Sequence, residues 1–185
     1  EFIELLTNKV FKNFLVDVLK TTKKVATKYN KSQRFTVGQL YTRRDVAKIL
    51  EWGSDISGTI FGYSIRDGEC PIFVTYNKVD VEHGIDYKDG FINTNTFRWY
   101  TRNKLTTHSE EVKNIIESVE RDITLSLFVK KDDSTYDTNF YYLGEMNPIK
   151  DSEQDEVMDN GQSVVRIDMK INESLEEKFY DYLTE

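Results

Sequence analysis

The sequence predicts an α+β domain with a mostly antiparallel sheet of about five to seven strands, curved towards a partial barrel and flanked by helices. Runs such as residues 123–129 alternate apolar and polar side chains, as half-buried strands do. Residues 2–19, 46–52 and 112–119 repeat apolar side chains at three- or four-residue spacing, which is typical of helices. A hydrophobic content of 38% with only two prolines in 185 residues allows a folded core.

The helical patterns divide the chain into three parts. Residues 1–34 form an N-terminal helical segment, residues 35–171 the α+β domain, and residues 172–185 a C-terminal helix packed on it. A short helix should turn Val46, Ile49, Leu50 and Trp52 inward. We expect Ser109 to cap the helix that follows it, and Asn172 or Ser174 to cap the last one.

The strand patterns follow in order. Residues 58–66 and 71–78 are separated by a hairpin-like turn with an Asp-Gly step, and residues 121–131, 139–149 and 163–171 give further strands. Residues 150–162 read as an acidic, solvent-exposed loop. If "FRWYTRNK" is extended, Phe97 and Trp99 share one face, and Arg98, Tyr100 and Arg102 the other.

Charge is distributed unevenly around the net value of −7. Residues 1–104 hold 17 lysines and arginines against 12 acids, whereas residues 105–185 hold 8 against 20. Residues 20–48 contain nine cations, and Asp45 is their only acid. Because the local field rather than total charge steers a polyanion, the first half is the candidate nucleic-acid surface.

Several classes of protein fit poorly. No apolar run approaches the ~20 residues that cross a bilayer, and no signal-peptide pattern is present, so we expect no membrane contact. A single cysteine, Cys70, favours a reducing, cytoplasmic location. His83 and His108 lack ligand-type neighbours, which argues against zinc. The missing initiator Met indicates a piece of a longer chain.

Enzyme motifs are lacking. No phosphate-binding glycine loop, HExxH or GxSxG occurs. A weak alternative is a metal-dependent nuclease site built from Asp86, Asp89 and Lys78. Binding fits better, because aromatic rings beside cations can stack on a base while the cations reach phosphates. With an aspartate to accept from an exocyclic amino group, these residues can form a pocket for an extruded base.

Seven blocks within residues 35–144 resemble, in order, a family of C-terminal domains attached to superfamily II helicases. They are "LYTRRDVAKILEW", "GTIFGY", "CPIFVTYNK", "YKDGF", "FRWYTRNK", "LFVKK" and "FYYLG". The family includes the target-recognition domains of type IV, modification-dependent restriction enzymes. Phe97, Trp99, Thr101 and Arg102 match its aromatic–Trp–hydroxyl–Arg pattern, whereas Lys104 comes one residue later than the pattern's usual cation.

The resemblance implies a DNA-binding, non-enzymatic domain comparable to SRA and PUA-like modules, which reads 5-methylcytosine or 5-hydroxymethylcytosine by base flipping. Trp99 and either Tyr76 or Tyr87 would sandwich the base, Asp89 would accept from its N4 amino group, and Thr101 would bond a 5-hydroxymethyl group. The expected phosphate contacts are Arg43, Arg44, Lys78, Arg98, Arg102 and Lys104.

The same resemblance implies partners beyond this chain. Double-stranded DNA carrying modified cytosine would be the ligand, and upstream helicase and nuclease domains would supply ATP hydrolysis and cleavage. We therefore expect no cofactor in this domain, and ATP and a divalent metal only in the parent chain. A protein-docking module that uses the acidic surface and the two terminal helices is the alternative function.

Overall fold

A computed structural model describes residues 2–53, 57–77, 89–132 and 137–185. The helices are α1 (Phe2–Leu5), α2 (Lys9–Ala26), α3 (Arg43–Ile49), α4 (Glu110–Ile116) and α5 (Glu177–Thr184). The strands are β1 (Leu40–Thr42), β2 (Glu69–Asn77), β3 (Gly90–Asn93), β4 (Thr96–Tyr100), β5 (Thr124–Asp132), β6 (Asn139–Pro148), β7 (Gln154–Val157) and β8 (Ser163–Ile171).

The strands form one mixed sheet in the order β2-β5-β6-β8-β4-β3, with β1 on β6 and β7 on β8. Every pairing between these named strands is antiparallel except that of β2 with β5. The predicted α+β class with a mostly antiparallel sheet is thereby confirmed. Gly144 lies in β6 beside a register shift between Leu127 and Phe128, and its φ of +117° is one that L side chains rarely adopt.

Two apolar clusters form the core of the described residues. The larger contains the inward side chains of β2, β4, β5 and β8 together with Val112 and Ile115 of α4. The smaller contains Phe35, Trp52 and Phe128, and α3 contributes Val46 and Ala47 to it. Successive residues of β2 alternate between the clusters, because side chains two apart share one face of a strand.

The hairpin before β2 has the predicted turn. Arg66 and Glu69 exchange backbone hydrogen bonds of 2.9 Å across Asp67 and Gly68, which have φ values of +52° and +76°. Left-handed conformations at both central residues match the turn that an Asp-Gly pair favours. Before this turn, however, the backbone makes only isolated bridges to β2, so residues 58–66 do not form the predicted strand.

Several predicted boundaries and caps were wrong. The first helix is interrupted after Leu5 and restarts at Asn8, whose side chain accepts from the backbone N–H groups of Val10 and Phe11. Ser109 is the residue before α4 but makes no side-chain capping bond, and α5 begins after Glu176 rather than near Asn172 or Ser174. Ile49 is 37% exposed rather than turned inward.

The acidic segment 150–162 is not only a loop. It contains β7, which pairs with β8 from Gln154–Arg166 to Val157–Ser163. Its carboxylates bind neighbouring groups: Asp155 accepts from the backbone N–H and the hydroxyl of Thr107, at 2.8 and 2.9 Å. The hydrogen bonds to Thr107 and the pairing with β8 therefore order part of a segment whose acidic composition predicts a solvent-exposed loop.

Candidate functional site

A cavity of about 550 Å³ opens beside the end of β4. Four segments line it: the loop around residues 58–63, the middle of β2, Asp89, and residues 99–102. Arg43 of α3 closes one side. Its guanidinium carbon lies 5.2 Å from the centre of the Phe73 ring and 4.8 Å from that of Phe140. The cavity thus combines apolar walls, one carboxylate and two guanidinium groups, the second from Arg102.

The rings that line the cavity differ greatly in accessibility. Trp99, Tyr63 and Phe73 are 3%, 3% and 5% exposed, so each presents at most an edge to a ligand. Trp99 packs edge-on against Tyr63, with ring centres 5.0 Å apart. Tyr100 is half-buried, and Phe61 is 76% exposed. Among the described residues of the cavity lining, the accessible aromatic surface therefore belongs to Phe61 and Tyr100.

Backbone contacts on both sides hold Phe61 at the cavity wall. Its own N–H donates to the carbonyl of Thr59 at 3.1 Å, and the next carbonyl, of Gly62, accepts from Phe73 N–H at 2.7 Å. Its neighbour Ile60 is buried, with 3% exposure. A large apolar ring is thus fixed outside the core, where water rather than protein covers it.

Asp89 lies at the cavity wall with its carboxylate oriented by the backbone. Its Oδ1 accepts from the N–H of Tyr100 at 2.8 Å. A carboxylate held in this way faces a ligand as a hydrogen-bond acceptor and favours an amino-group donor. Asp89, the residue expected to accept from the base's amino group, therefore lies in the same cavity wall as Trp99.

Arg102 braces the cavity wall. Its guanidinium lies 4.3 Å from the centre of the Tyr63 ring, donates to the Tyr63 carbonyl at 3.0 Å, and lies 3.1 Å from an oxygen of Glu111. The Tyr63 hydroxyl donates to the same Glu111 oxygen. Burial, followed by this bond to Glu111, raises the pKa of the Tyr63 phenol. Arg102 thereby fixes the ring against which Trp99 packs.

Thr101 has a structural role. Its hydroxyl accepts from Val165 N–H at 2.9 Å and donates to the Arg102 carbonyl at 3.2 Å, and the residue is fully buried. These bonds tie the end of β4 to β8, so the hydroxyl that was predicted to bond a 5-hydroxymethyl group is already occupied. Sequence reasoning missed Thr75, a half-buried cavity residue whose hydroxyl makes no hydrogen bond to the described residues.

Tyr76 is not brought together with Trp99 in the cavity, so the predicted pairing of these two rings is not assembled. It shares a face of β2 with the buried Ile72 and Val74, and its ring contacts Phe91 at 5.9 Å between centres. Phe73, Val74 and Thr75 of β2 line the cavity, whereas Tyr76 lies one residue beyond its lining. Tyr87 and Lys78 lie outside the described residues.

The predicted phosphate contacts occupy different environments. Arg98 forms a two-bond ion pair with Asp168, with N–O distances of 2.8 and 2.9 Å. The bond from Arg98 lowers the pKa of the Asp168 carboxyl. Arg43 and Arg102 line the cavity, whereas Arg44 and Lys104 are exposed. The positive charge of Arg98 is therefore largely neutralised within the sheet.

A second cavity, of about 440 Å³, has the opposite character. Its charged lining consists of Glu69, Glu145 and Glu173 with Arg34. Such a lining repels a polyanion, so the cavity beside β4 is the better candidate for DNA. Within the described ranges, no three His, Cys, Asp or Glu side chains lie close enough to hold a metal ion. None of the described helices is long and apolar enough to span a membrane.

Several solved structures are similar to this fold. Arabidopsis thaliana SUVH6 in complex with SAM matches with a TM-score of 0.51 and 15% identity, over 78% of this chain and 28% of that one. The SRA domain of SUVH5 in complex with hemi-methylated CG DNA matches with a TM-score of 0.50 and 10% identity, over 76% of this chain and 91% of that one. These matches identify the fold as SRA-like.

A third structure is the DNA recognition domain of the cytosine modification-dependent restriction endonuclease LpnPI. It has a TM-score of 0.47 and 13% identity, over 76% of this chain and 72% of that one. No curated protein matches the chain in sequence. Residues 35–183 match the family model described as "Domain of unknown function (DUF3427)", and the chain therefore belongs to that family.

Proposed function

We propose that this domain reads modified cytosine in double-stranded DNA by accepting an extruded base in the cavity beside β4. The observation that carries the proposal is the cavity itself, in which an oriented carboxylate, accessible aromatic surface and guanidinium groups meet on an SRA-like fold. An enzyme or reader that must reach one base of a duplex takes it out of the stack and recognises its Watson–Crick edge.

Size supports this assignment. A cavity of about 550 Å³ lies within the range of small-ligand pockets, which is roughly 300–1,000 Å³. If each of the nine or so heavy atoms of 5-methylcytosine takes the ~30 Å³ of a liquid water molecule, the base occupies about 270 Å³. A single modified base therefore fits, with room for the sugar or for ordered water.

Recognition of cytosine would rest on Asp89. Its carboxylate can accept from the N4 amino group, whereas thymine presents a carbonyl oxygen at that position and would be repelled. Ile60, Phe73 and Val74 provide apolar surface for a 5-methyl group. Burying one methyl is worth about 0.8 kcal/mol, so this contact alone gives roughly fourfold discrimination over unmodified cytosine.

A 5-hydroxymethyl group requires a polar partner that Thr101 cannot easily provide. We assign that role to Thr75, whose hydroxyl lies at the cavity wall on the same face of β2 as Phe73. Phosphate contacts would come from the exposed Arg44 and Lys104, and from Lys78. Helicase and nuclease domains in a parent chain, with their ATP and metal, belong to the same proposal and rest on the resemblance described above.

The test is equilibrium binding to a fluorescent duplex with one central CG site, in unmodified, 5-methylated and 5-hydroxymethylated forms at two salt concentrations. We expect the modified duplexes to bind more tightly, and the affinity for all three to fall with salt. A 2-aminopurine next to the modified cytosine in the same strand should brighten on binding if the base leaves the stack. Equal affinity for the three duplexes at both salt concentrations would overturn the proposal.

Asp89→Asn gives a matched variant. An amide oxygen can still accept from Tyr100 N–H, so the backbone contact is retained while the carboxylate is lost. We expect the affinity for the modified duplex to fall, because the acceptor for the N4 amino group is lost, and the folding stability to stay near that of the parent. Cleavage of the duplex in the presence of magnesium would instead support the nuclease alternative.

A further inference from the structure

The N-terminal helix α2 exposes an apolar seam that the other described residues leave largely uncovered. None of the residues of α1 or α2 is buried. Phe14, Val18 and Val25 are 69%, 58% and 44% exposed. With Phe11 before them and Thr21 between Val18 and Val25, they form a series along the helix whose members are alternately three and four residues apart. That is the heptad spacing of a two-stranded coiled coil.

Local contacts define α2 without covering this seam. The Asn8 side chain caps the first turn, and the Phe2 ring of α1 packs edge-on against Phe11 at 6.2 Å between centres. After the helix, Tyr29 contacts Tyr41 of the domain at 6.0 Å between ring centres. These contacts lie at the two ends of the ~27 Å helix, and between them the seam remains available from Phe14 to Val25.

The charges beside the seam are self-complementary. In the heptad register with Phe11, Val18 and Val25 at the first position, the two charged residues at the flanking positions are Asp17 and Lys24. The remaining lysines of the helix, namely Lys9, Lys12, Lys20 and Lys23, lie on the outer positions. In an antiparallel pair, each Asp17 faces Lys24 of the second helix, and Val25 of each helix lies level with Phe14 of the other.

We propose that α2 pairs with α2 of a second copy of this chain in an antiparallel, two-fold coiled coil. The pairing buries the seam, forms two Asp17–Lys24 ion pairs, and places the outer lysines in solvent. A two-fold arrangement is the commonest closed symmetry because the same surface serves both copies. DNA would leave the apolar seam exposed, and an interfacial lipid contact would give Asp17 no partner. The dimer presents two cytosine-reading domains together.

Sedimentation equilibrium of the chain measures this directly, and Val18→Asp with Val16→Asp is the matched pair of variants. Val16 is 39% exposed and lies on the outer face of the same helix. We expect a concentration-dependent species of twice the 21.7 kDa chain mass for the parent and for Val16→Asp, and monomer alone for Val18→Asp. Circular dichroism should show that each variant folds, because both positions are exposed.

Charge exchange tests the direction of the helices. Asp17→Lys and Lys24→Asp should each weaken the dimer, and the double exchange should restore it, because an antiparallel pair regains both ion pairs. Two probes test other occupants of the seam. Vesicles of phosphatidylcholine and phosphatidylserine represent a membrane surface, and a synthetic acidic amphipathic peptide represents a different protein helix. The proposal is overturned by a monomeric parent at all concentrations, by a dimer that survives Val18→Asp, by a double exchange that fails to restore pairing, or by a monomer that binds either probe.

Discussion

Phe61 should be the main stacking surface for the base in the cavity. The three buried rings of the wall are exposed by 5% or less, whereas Phe61 is 76% exposed and its backbone is fixed by hydrogen bonds on both sides. Replacing it with alanine should therefore remove aromatic contact with the ligand while leaving the core intact. We expect Phe61→Ala to reduce affinity for the modified duplex.

The magnitude follows from the exposure. Stacking of one base on one ring contributes about 1–3 kcal/mol, which corresponds to roughly a 5- to 150-fold loss of affinity. The free energy of unfolding should change by no more than about 0.5 kcal/mol, because a largely exposed side chain makes few contacts in the folded state. A large binding defect with unchanged stability would distinguish a ligand contact from a core contact.

The assay is fluorescence anisotropy with 5-methylated and unmodified duplexes, accompanied by urea unfolding. Val157→Ala is the matched control, since Val157 of β7 is 74% exposed and does not line the cavity. Phe61→Tyr should retain binding because it keeps the ring. If Phe61→Ala binds the modified duplex as tightly as the parent does, while the parent still prefers that duplex, Phe61 is not the stacking surface.

Three further predictions concern the residues around the cavity. Arg102→Ala should lower the free energy of unfolding, measured with urea, by about 1–2 kcal/mol, because a partly exposed ion pair and a cation–π contact are lost. Arg102→Lys should recover little of that stability. Full rescue of DNA affinity by lysine would indicate a phosphate contact instead. Trp99→Ala should lower the free energy of unfolding by about 3–5 kcal/mol, because Trp99 is buried in the core. A urea midpoint equal to the parent's would contradict that role in packing. Trp99→Phe, which keeps a ring, is the better probe of DNA preference. Asp168→Asn should destabilise the domain at neutral pH, because Arg98 lowers the pKa of the Asp168 carboxyl in the folded state. The stabilisation is present above the usual carboxyl pKa and is lost as pH falls through the lowered pKa, so the stabilities of parent and variant should converge in acid. A difference in stability that stays constant with pH would exclude the Arg98–Asp168 pair as its source.

Local patterns predicted much of the fold. The alternation at residues 123–129 and 163–171 gave strands that the structure confirms as parts of β5 and β8, and the Asp-Gly step gave the hairpin turn. The predicted alternation of β4 is also confirmed, with Phe97 and Trp99 buried and Arg98 and Tyr100 partly exposed. These features depend on side-chain periodicity and turn chemistry, which are properties of the sequence itself.

Sequence patterns did not predict which distant segments of the chain pair with one another. Arg98 reads as a phosphate contact in isolation, but Asp168 lies opposite it in β8, seventy residues away along the chain. Residues 150–162 read as a solvated loop, but hydrogen bonds to Thr107 and to β8 order part of them. A charge pattern does not reveal which charges neutralise one another, because that depends on strand register across long separations.

The sequence by itself determined the α+β class, the concentration of positive charge in the first half of the chain, and the types of side chain available for holding a base. Only the tertiary structure decided which of them meet. It packed the partly buried Tyr76 against the core, placed Thr75 and Phe61 at the cavity wall, and engaged the Thr101 hydroxyl in hydrogen bonds. The physical reason is that a cavity forms where separate elements fail to fill the space between them, and no local pattern encodes that space.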